Sequence, residues 1–326
     1  MDERILFDRF HEALETEPRP GAYERMRLAI TRQPVPLQRR PAFRMRWSKM
    51  GLRVAAALTA VLIVIALAAV LVATHRAPVG SVPADKDQNV KAYQALVRTD
   101  DINLNASTSP HCQTIKDTGC AAAVVPVDAA LQRWADDLNA FSTPARFKVL
   151  DAALRRHLVQ GINELNAAVS FQKAGNQSGF DLAMGAADFE DGWIGSAADA
   201  IEASTTATGT SYRDAITFAT QSFDACNSCG ALPARDCSGT GAQGCLYADE
   251  TASTAVQAFL LAIVGNPGPG ATEARLNADL ETADKALVAI TNGLISGDSN
   301  AVKAAQRSYA SAIASIPADA AAASHG

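Results

Sequence analysis

The apolar residues of this chain recur at helical spacing along most of its length, and one segment is apolar throughout. Residues 54–74 contain no charge, proline or glycine and read VAAALTAVLIVIALAAVLVAT. At 1.5 Å per residue, a helix of this length spans about 31 Å, close to the roughly 30 Å of a bilayer's hydrocarbon core. The pattern therefore predicts one transmembrane helix.

Beyond this segment, the amphipathic pattern occurs twice. Cys112 and Cys120 have the same spacing as Cys237 and Cys245, and a glycine precedes the second cysteine of each pair. The second copy then carries an apolar stripe with the three- and four-residue steps of a bundle helix, formed by Leu276, Leu280, Ala283, Leu287, Ile290 and Leu294. Three leucines of the first copy lie 122 residues earlier than leucines of this segment: Leu154, Leu158 and Leu165. We interpret this repetition as an internal duplication.

No segment alternates polar and β-branched residues as a half-buried strand does, so we expect an all-α protein. It would comprise a single transmembrane helix plus an exported helical-bundle domain built from two similar four-helix units, either fused into one bundle or separate. The expected parts are a cytoplasmic helical segment with a basic juxtamembrane stretch at 1–53, the transmembrane helix at 54–74, a linker at 75–84, exported helical unit 1 at 85–205, exported helical unit 2 at 210–317 and a disordered tail at 318–326.

Charge is distributed unevenly around the apolar segment. Residues 1–53 carry a net charge of +5 and residues 75–326 carry −10. The basic residues closest to the apolar segment are Arg39, Arg40, Arg44, Arg46, Lys49 and Arg53. The positive-inside rule then places the N-terminus in the cytoplasm and the C-terminal domain outside the cell membrane. We expect the basic stretch to meet anionic headgroups rather than nucleic acid. A cleaved signal peptide is disfavoured because its apolar region is usually 7–15 residues long.

The N-terminal segment resembles a known family of signalling proteins. A short helical stretch is followed by the run EPRPGAYERMRLAIT, a basic stretch, one apolar helix and an exported domain. This architecture is similar to that of bacterial membrane-anchored anti-sigma factors, and the resemblance covers residues 1–75. It implies a cytoplasmic regulatory protein as partner and a signal received outside. The family's common His-xxx-Cys-xx-Cys zinc motif is missing, since no cysteine precedes Cys112.

All six cysteines lie on the side predicted to be exported, where oxidising conditions favour disulfides. The duplication predicts Cys112–Cys120 and Cys237–Cys245 as equivalent bridges. Cys226 and Cys229 have no counterparts in the first copy, and they would pair with each other or nest with the second pair as Cys226–Cys245 and Cys229–Cys237. A redox role is disfavoured, because Cys226-Asn-Ser-Cys229 follows a predicted helix and enters a glycine-rich loop rather than opening a helix after a strand. A zinc site formed by the four neighbouring cysteines is disfavoured by their expected location outside the cell.

Residues with chemical potential are few, and we expect no catalytic, cofactor-binding or metal site. Gly239-Thr-Gly-Ala-Gln-Gly244 lies between two cysteines without the strand that a dinucleotide site requires. Ser170-Phe-Gln-Lys173 falls late in a predicted helix, without its companion motifs. His157 flanks the apolar stripe of its helix, and the acidic residues around Trp193, which are Asp188, Glu190 and Asp191, are expected on a solvated face.

These features favour a single-pass membrane protein with an exported binding or sensing module. The module would bind an extracellular ligand and signal across the membrane to the cytoplasmic partner. The alternative is a membrane-tethered structural or adhesive envelope protein that has no signalling role. We expect no enzymatic activity in either case.

Overall fold

The computed structural model describes residues 84–107, 112, 114–204, 210–264 and 271–325. All of them belong to one compact unit, Ala68–Gly326. The predicted cytoplasmic segment, its basic residues and the apolar segment 54–74 lie outside the described residues. Among the helices of the described ranges, none is both long and apolar enough to cross a membrane. Every regular element in these ranges is helical.

The first half of the domain consists of four long helices. They are α1 (Ala84–Ser107), α2 (Cys120–Ala140), α3 (Lys148–Lys173) and α4 (Gln177–Ala203). Both α1 and α3 pack against α2 and against α4, which closes a four-helix bundle.

The second half repeats this arrangement with two additions. Its helices are α5 (Thr210–Asp224), α6 (Asn227–Ala231), α7 (Ala242–Ile263), α8 (Ala271–Ser296), α9 (Ser299–Ile313) and α10 (Ile316–His325). α5 packs on α7 and α10, and α8 packs on α7, α9 and α10. The pair α9–α10 therefore occupies the place that α4 has in the first half, and the five-residue α6 has no counterpart there.

The two halves bury equivalent positions. Eight buried residues of α2 are Cys120, Ala123, Val124, Ala130, Leu131, Trp134, Ala135 and Leu138. The residues 125 positions later in α7 are all buried as well: Cys245, Ala248, Asp249, Ala255, Val256, Phe259, Leu260 and Ile263. Because burial recurs position by position, the two halves share packing as well as helix order.

The turns that follow α3 and α8 have the same backbone geometry. Gly175 and Gly297 have φ values of 68° and 73°, the left-handed region that glycine adopts without a steric penalty. The next residues, Asn176 and Asp298, accept hydrogen bonds from backbone N–H groups at the start of α4 and α9. Each pair therefore ends one helix and caps the next, and the positions differ by the offset of 122 seen in the sequence.

The prediction of a disordered tail at 318–326 is wrong for all but the last residue, which is not described. The chain forms α10 there, and Ala320 and Ala323 are buried where α10 packs on α5 and α8. A run of alanines supports a helix, and its small side chains allow close packing. The break before α10 follows from Pro317, which cannot donate to the carbonyl of Ile313 as a continuous helix would require.

One hydrophobic core runs through both halves, from Tyr93 in α1 to Ala323 in α10. The halves meet where α3 packs on α8 and α4 packs on α7. The two units are thus fused rather than separate. A second, smaller cluster surrounds the bridge between Cys112 and Cys120.

The structure pairs all six cysteines. The bridges are Cys112–Cys120, Cys226–Cys229 and Cys237–Cys245. Of the alternatives left open by the sequence, the nested pairing is therefore wrong and the local pairing is confirmed. The equivalent bridges each tie the loop that enters α2 or α7 to the start of that helix.

Candidate functional site

The most unusual feature of the domain is a buried histidine between its two halves. His157 of α3 is 1% exposed. Its Nδ1 atom lies 2.5 Å from Oε2 of Glu190 in α4, and its Nε2 atom lies 3.0 Å from Oδ1 of Asp284 in α8. Both ring nitrogens therefore contact carboxylates, one from each half of the molecule.

Local packing fixes the position of the imidazole ring. The ring of Trp193 lies parallel to it, with 3.7 Å between the ring centroids and an angle of 15° between the planes. Gly161 lies one turn along α3, and a Cβ atom there would make an ordinary van der Waals contact with Cβ of Glu190 at 3.8 Å. The helices α3 and α4 therefore lie close together where Glu190 reaches His157.

A second cation contacts the same carboxylate. Nε and Nη2 of Arg156 lie 2.8 and 2.7 Å from Oδ2 of Asp284. Arg156 and His157 are adjacent in α3, so both side chains of this pair reach across to α8. Asp284 accepts from both of them and is itself only 1% exposed.

One turn further along α3, amide groups extend the polar contact between the halves. Asn292 of α8 donates a hydrogen bond of 2.6 Å to Gln160, and Gln160 donates one of 2.7 Å to Oε1 of Glu164. Gln257 of α7 donates to the backbone carbonyl of Trp193 over 2.8 Å. The junction is therefore lined by a chain of polar contacts within an otherwise apolar core.

A further carboxyl group lies deeper in the second half. Asp249 of α7 is 3% exposed and accepts a hydrogen bond of 2.6 Å from the hydroxyl of Thr291. Its other oxygen, Oδ1, has no hydrogen-bond partner in the described part of the chain, and the same is true of Oε2 of Glu164. Two buried carboxyl oxygens are thus left unpaired.

We define the junction cluster as Arg156, His157, Glu164, Glu190, Asp249 and Asp284. Its charges do not balance, because four buried carboxyl groups face two cations. An unpaired buried charge is strongly disfavoured in a protein interior. The cluster must therefore hold protons on some of its carboxyl groups.

The pKa values of the carboxyl groups follow from this imbalance. Burial, followed by the charge of Glu190, raises the pKa of Glu164 well above its ordinary value. Burial also raises the pKa of Asp249 well above its ordinary value and raises that of Glu190. The half-buried Glu250 adjoins the cluster, and burial and the nearby Asp249 raise its pKa to about 8.

The pKa of the histidine is shifted in the direction that favours its charged form. Burial alone lowers the pKa of His157, but the carboxylates of Glu190 and Asp284 outweigh burial and raise the pKa to about 10. Burial opposes ionisation of Asp284, yet the charges of His157 and Arg156 lower its pKa below the ordinary value. The ion pair between the halves, from His157 and Arg156 to Asp284, is therefore charged at neutral pH.

Another buried carboxylate, in the first half alone, provides a contrast. Asp151 accepts hydrogen bonds from Tyr93 at 2.6 Å, from Thr143 at 3.0 Å and from Arg155 at 2.7 Å. Both of its oxygens have donors, and one arginine balances its charge. This group has the features of a structural ion pair, whereas the junction cluster has excess carboxyl groups and unpaired oxygens.

The structure changes the interpretation of the acidic residues near Trp193. Asp188 and Asp191 are exposed, as expected. The expectation of a solvated face is wrong for Glu190, which is 4% exposed. Glu190 is separated from the two aspartates by the helical rotation of α4, so it points into the junction while they point outward.

The glycine-rich motif and the Ser-x-x-Lys motif of the sequence lie in a short turn and at a helix end. Residues Gly239–Gly241 form a short 3-10 turn between the disulfide-bonded cysteines. Ser170 and Lys173 lie in the last turn of α3. Within the described ranges, no group of three or more His, Cys, Asp or Glu side chains is arranged to hold a metal ion.

Comparisons with protein families, with curated proteins and with solved structures find no match to this chain. The geometry and the charges of the junction cluster are therefore the basis on which a role for this domain is proposed.

Proposed function

We propose that this chain is a single-pass membrane protein whose cysteine-rich helical domain lies outside the membrane and serves as a sensing module. The uncharged segment 54–74, the basic stretch before it and the acidic domain after it support this topology. The three disulfides support an oxidising location for the domain. The localisation is thus the cell membrane, with the N-terminus in the cytoplasm.

The junction cluster is the observation that carries the sensing role. Replacing a buried ion pair by well-packed apolar residues is often neutral or stabilising, so such pairs are a poor way to build a rigid scaffold. Here the ion pair joins two repeated units, and excess carboxyl groups surround it. Any ligand or proton that changes the charge at this junction changes the energy of contact between the two halves.

The cytoplasmic side of the proposal rests on the N-terminal segment. Its amphipathic stretches are too short to bury a core of their own, so they require a partner surface. The resemblance to membrane-anchored anti-sigma factors supports a soluble regulatory protein as that partner. The extracellular ligand acts on the helical domain, and the membrane helix connects the two sides.

Deletion of residues 1–32 tests this proposal in cells. The deletion retains the basic residues from Arg39 onward, so the predicted topology is unchanged. We expect the deletion to alter the transcripts that the full chain controls and to abolish cross-linking to a cytoplasmic protein. A variant with the same residues in scrambled order should behave like the deletion. Unchanged transcripts and no cross-linked partner would instead favour a membrane-tethered structural protein.

A further inference from the structure

Cys226 and Cys229 form a disulfide that the repeated fold does not require. Tyr93 lies 19 residues before Cys112 in the first half, and its counterpart Tyr212 lies 25 residues before Cys237. The six additional residues of the second half accommodate this cysteine pair. Since the first half forms its bundle without such an insertion, the bond is an addition to the unit and not part of its framework.

The two sulfur atoms have different environments. Cys229 is 1% exposed, whereas Cys226 is half-buried at the surface between α5 and α6. An incoming thiol can therefore reach the Sγ atom of Cys226 more readily than that of Cys229. The expected order of reaction is attack at Cys226 with Cys229 as the leaving group.

A backbone N–H group stabilises a thiolate on Cys226, the more accessible of the two cysteines. The N–H of Cys229 donates a hydrogen bond of 3.1 Å to Sγ of Cys226. A hydrogen bond to the charged form lowers the pKa of an acid, and the thiolate is the reactive form of cysteine. As expected from the sequence, the pair follows a helix, α5, and not a strand, but it does not lie in a loop: Cys226 immediately precedes the five-residue α6 and Cys229 lies within it.

The surrounding structure keeps the site in place when its bond opens. Gln306 of α9 donates hydrogen bonds to the carbonyl of Leu232, which follows α6 directly, and to that of Arg235, which ends the next short turn. The same amide contacts Sγ of Cys237, which is bonded to Cys245. The segment after the cysteine pair is therefore held by contacts that do not depend on the Cys226–Cys229 bond.

We propose that Cys226 and Cys229 form a thiol–disulfide exchange site that accepts electrons from the dithiol of a partner protein. A partner thiolate attacks Sγ of Cys226, and the bond to Cys229 breaks as the mixed disulfide forms. Cys229 leaves as a thiolate and takes a proton. The partner's second thiolate then attacks the partner sulfur that is bonded to Sγ of Cys226. This step forms the partner's disulfide and releases Cys226 as a thiolate, which takes a proton. Two electrons and two protons pass to the cysteine pair, and exchange with another disulfide reverses the step.

The test compares the three disulfides within one molecule. The full chain, purified in detergent, is incubated with dithiothreitol, quenched by alkylation at successive times and mapped by mass spectrometry. We expect Cys226–Cys229 to open at least tenfold faster than Cys112–Cys120, whose two cysteines are both buried and which serves as the internal control. Cys237–Cys245 also joins a half-buried cysteine to a buried one, but it is one of the two equivalent bridges of the repeated unit, so we expect it to open more slowly than Cys226–Cys229. Opening of Cys226–Cys229 no faster than either bridge would overturn the proposal.

Two single substitutions test the order of attack. With glutathione disulfide as the probe, Cys229→Ser should form a mixed disulfide at Cys226, and Cys226→Ser should form at least tenfold less at Cys229. Equal reaction of the two variants would contradict the assigned roles. Thermal unfolding of both variants shows whether the fold is retained, and the wild-type comparison stands without them. Because this assay uses purified protein, its outcome does not depend on the proposed membrane topology.

Discussion

Nε2 of His157 lies 3.0 Å from Oδ1 of Asp284, and this contact joins the two repeated halves of the domain through a buried ion pair. The imidazole also contacts Glu190 of its own half. The histidine thus connects three helices, α3, α4 and α8. Loss of its charge should therefore affect the junction more than any nearby surface change.

Substitution of His157 by glutamine should destabilise the domain strongly. The variant leaves the carboxylates of Glu190 and Asp284 without their shared cation, and breaking a buried ion pair in this way costs about 3 to 5 kcal/mol. Urea unfolding followed by circular dichroism measures the free energy of unfolding. Lys91→Gln is the matched control, because it also replaces a basic side chain by glutamine but at an exposed position of α1, where a surface change should alter this energy by less than about 0.5 kcal/mol. Similar energies for the two variants would show that the pair contributes little.

The free energy of unfolding should fall as the pH rises from about 5 to 9. The folded-state pKa of His157 is raised to about 10 and that of Glu250 to about 8, and burial also raises the pKa values of Glu164 and Asp249. The folded state therefore binds more protons than the unfolded chain in this range. Each extra proton lowers the stability by about 1.4 kcal/mol per pH unit.

Urea titrations at closely spaced pH values measure this dependence. The lowered pKa of Asp284 acts in the opposite sense, since its contribution is lost only as the pH falls below the ordinary aspartate value. We therefore expect the greatest stability in mildly acidic solution. A stability that increases steadily from pH 5 to 9 would be inconsistent with the charge assignments of the cluster.

Substitution of Glu164 by glutamine should reduce this pH dependence. Glutamine retains an oxygen that can accept the hydrogen bond from Gln160, but it cannot ionise. The variant should match the wild type near pH 5 and be more stable near pH 9, where the wild-type carboxyl loses its proton beside Glu190. Parallel pH profiles for the two proteins would show that Glu164 does not titrate within this range.

The equivalence of the two halves can be tested at their matching turns. Gly175→Ala and Gly297→Ala each place a side chain at a positive φ value, which should cost about 1 to 2 kcal/mol. A Cβ atom at either position meets nothing within 4 Å, so the cost is conformational in both cases. Gly192→Ala, in the exposed middle of α4, is the control and should stabilise by about 1 kcal/mol. A cost at only one of the two turns would argue against their equivalence.

The features that the sequence predicts correctly are those set within one unit. Leu276, Leu280 and the other residues of the apolar stripe form the buried face of α8. Helical periodicity predicts this face, because it shows which side of the helix is apolar. The cysteine spacing repeats, and the local bridges follow from it. These features are predictable because each of the contacts lies close in sequence or recurs at a fixed offset.

The junction cluster was not predictable by the same reasoning. Asp284 lies beside Ala283 of the apolar stripe, and its partners His157 and Arg156 belong to the other unit. Periodicity within one unit contains no information about contacts between the units, so it does not predict that Asp284 is buried. One signal was available in α7, where small and apolar residues occur on every side of the helix, as is typical of a helix surrounded by protein.

Membrane topology is the claim on which the proposed function depends most, and cysteine labelling tests it directly. The chain has no cysteine before Cys112, so all six report on the C-terminal domain. Spheroplasts that contain the full chain are treated with a membrane-impermeant reductant and then with a membrane-impermeant maleimide.

We expect all six cysteines to be labelled in intact spheroplasts only after reduction, since the structure pairs every one of them. A cysteine introduced by Thr16→Cys should be labelled only after lysis, and without reduction. Protection of the six cysteines until lysis, or labelling of the introduced cysteine in intact spheroplasts, would contradict the proposed topology.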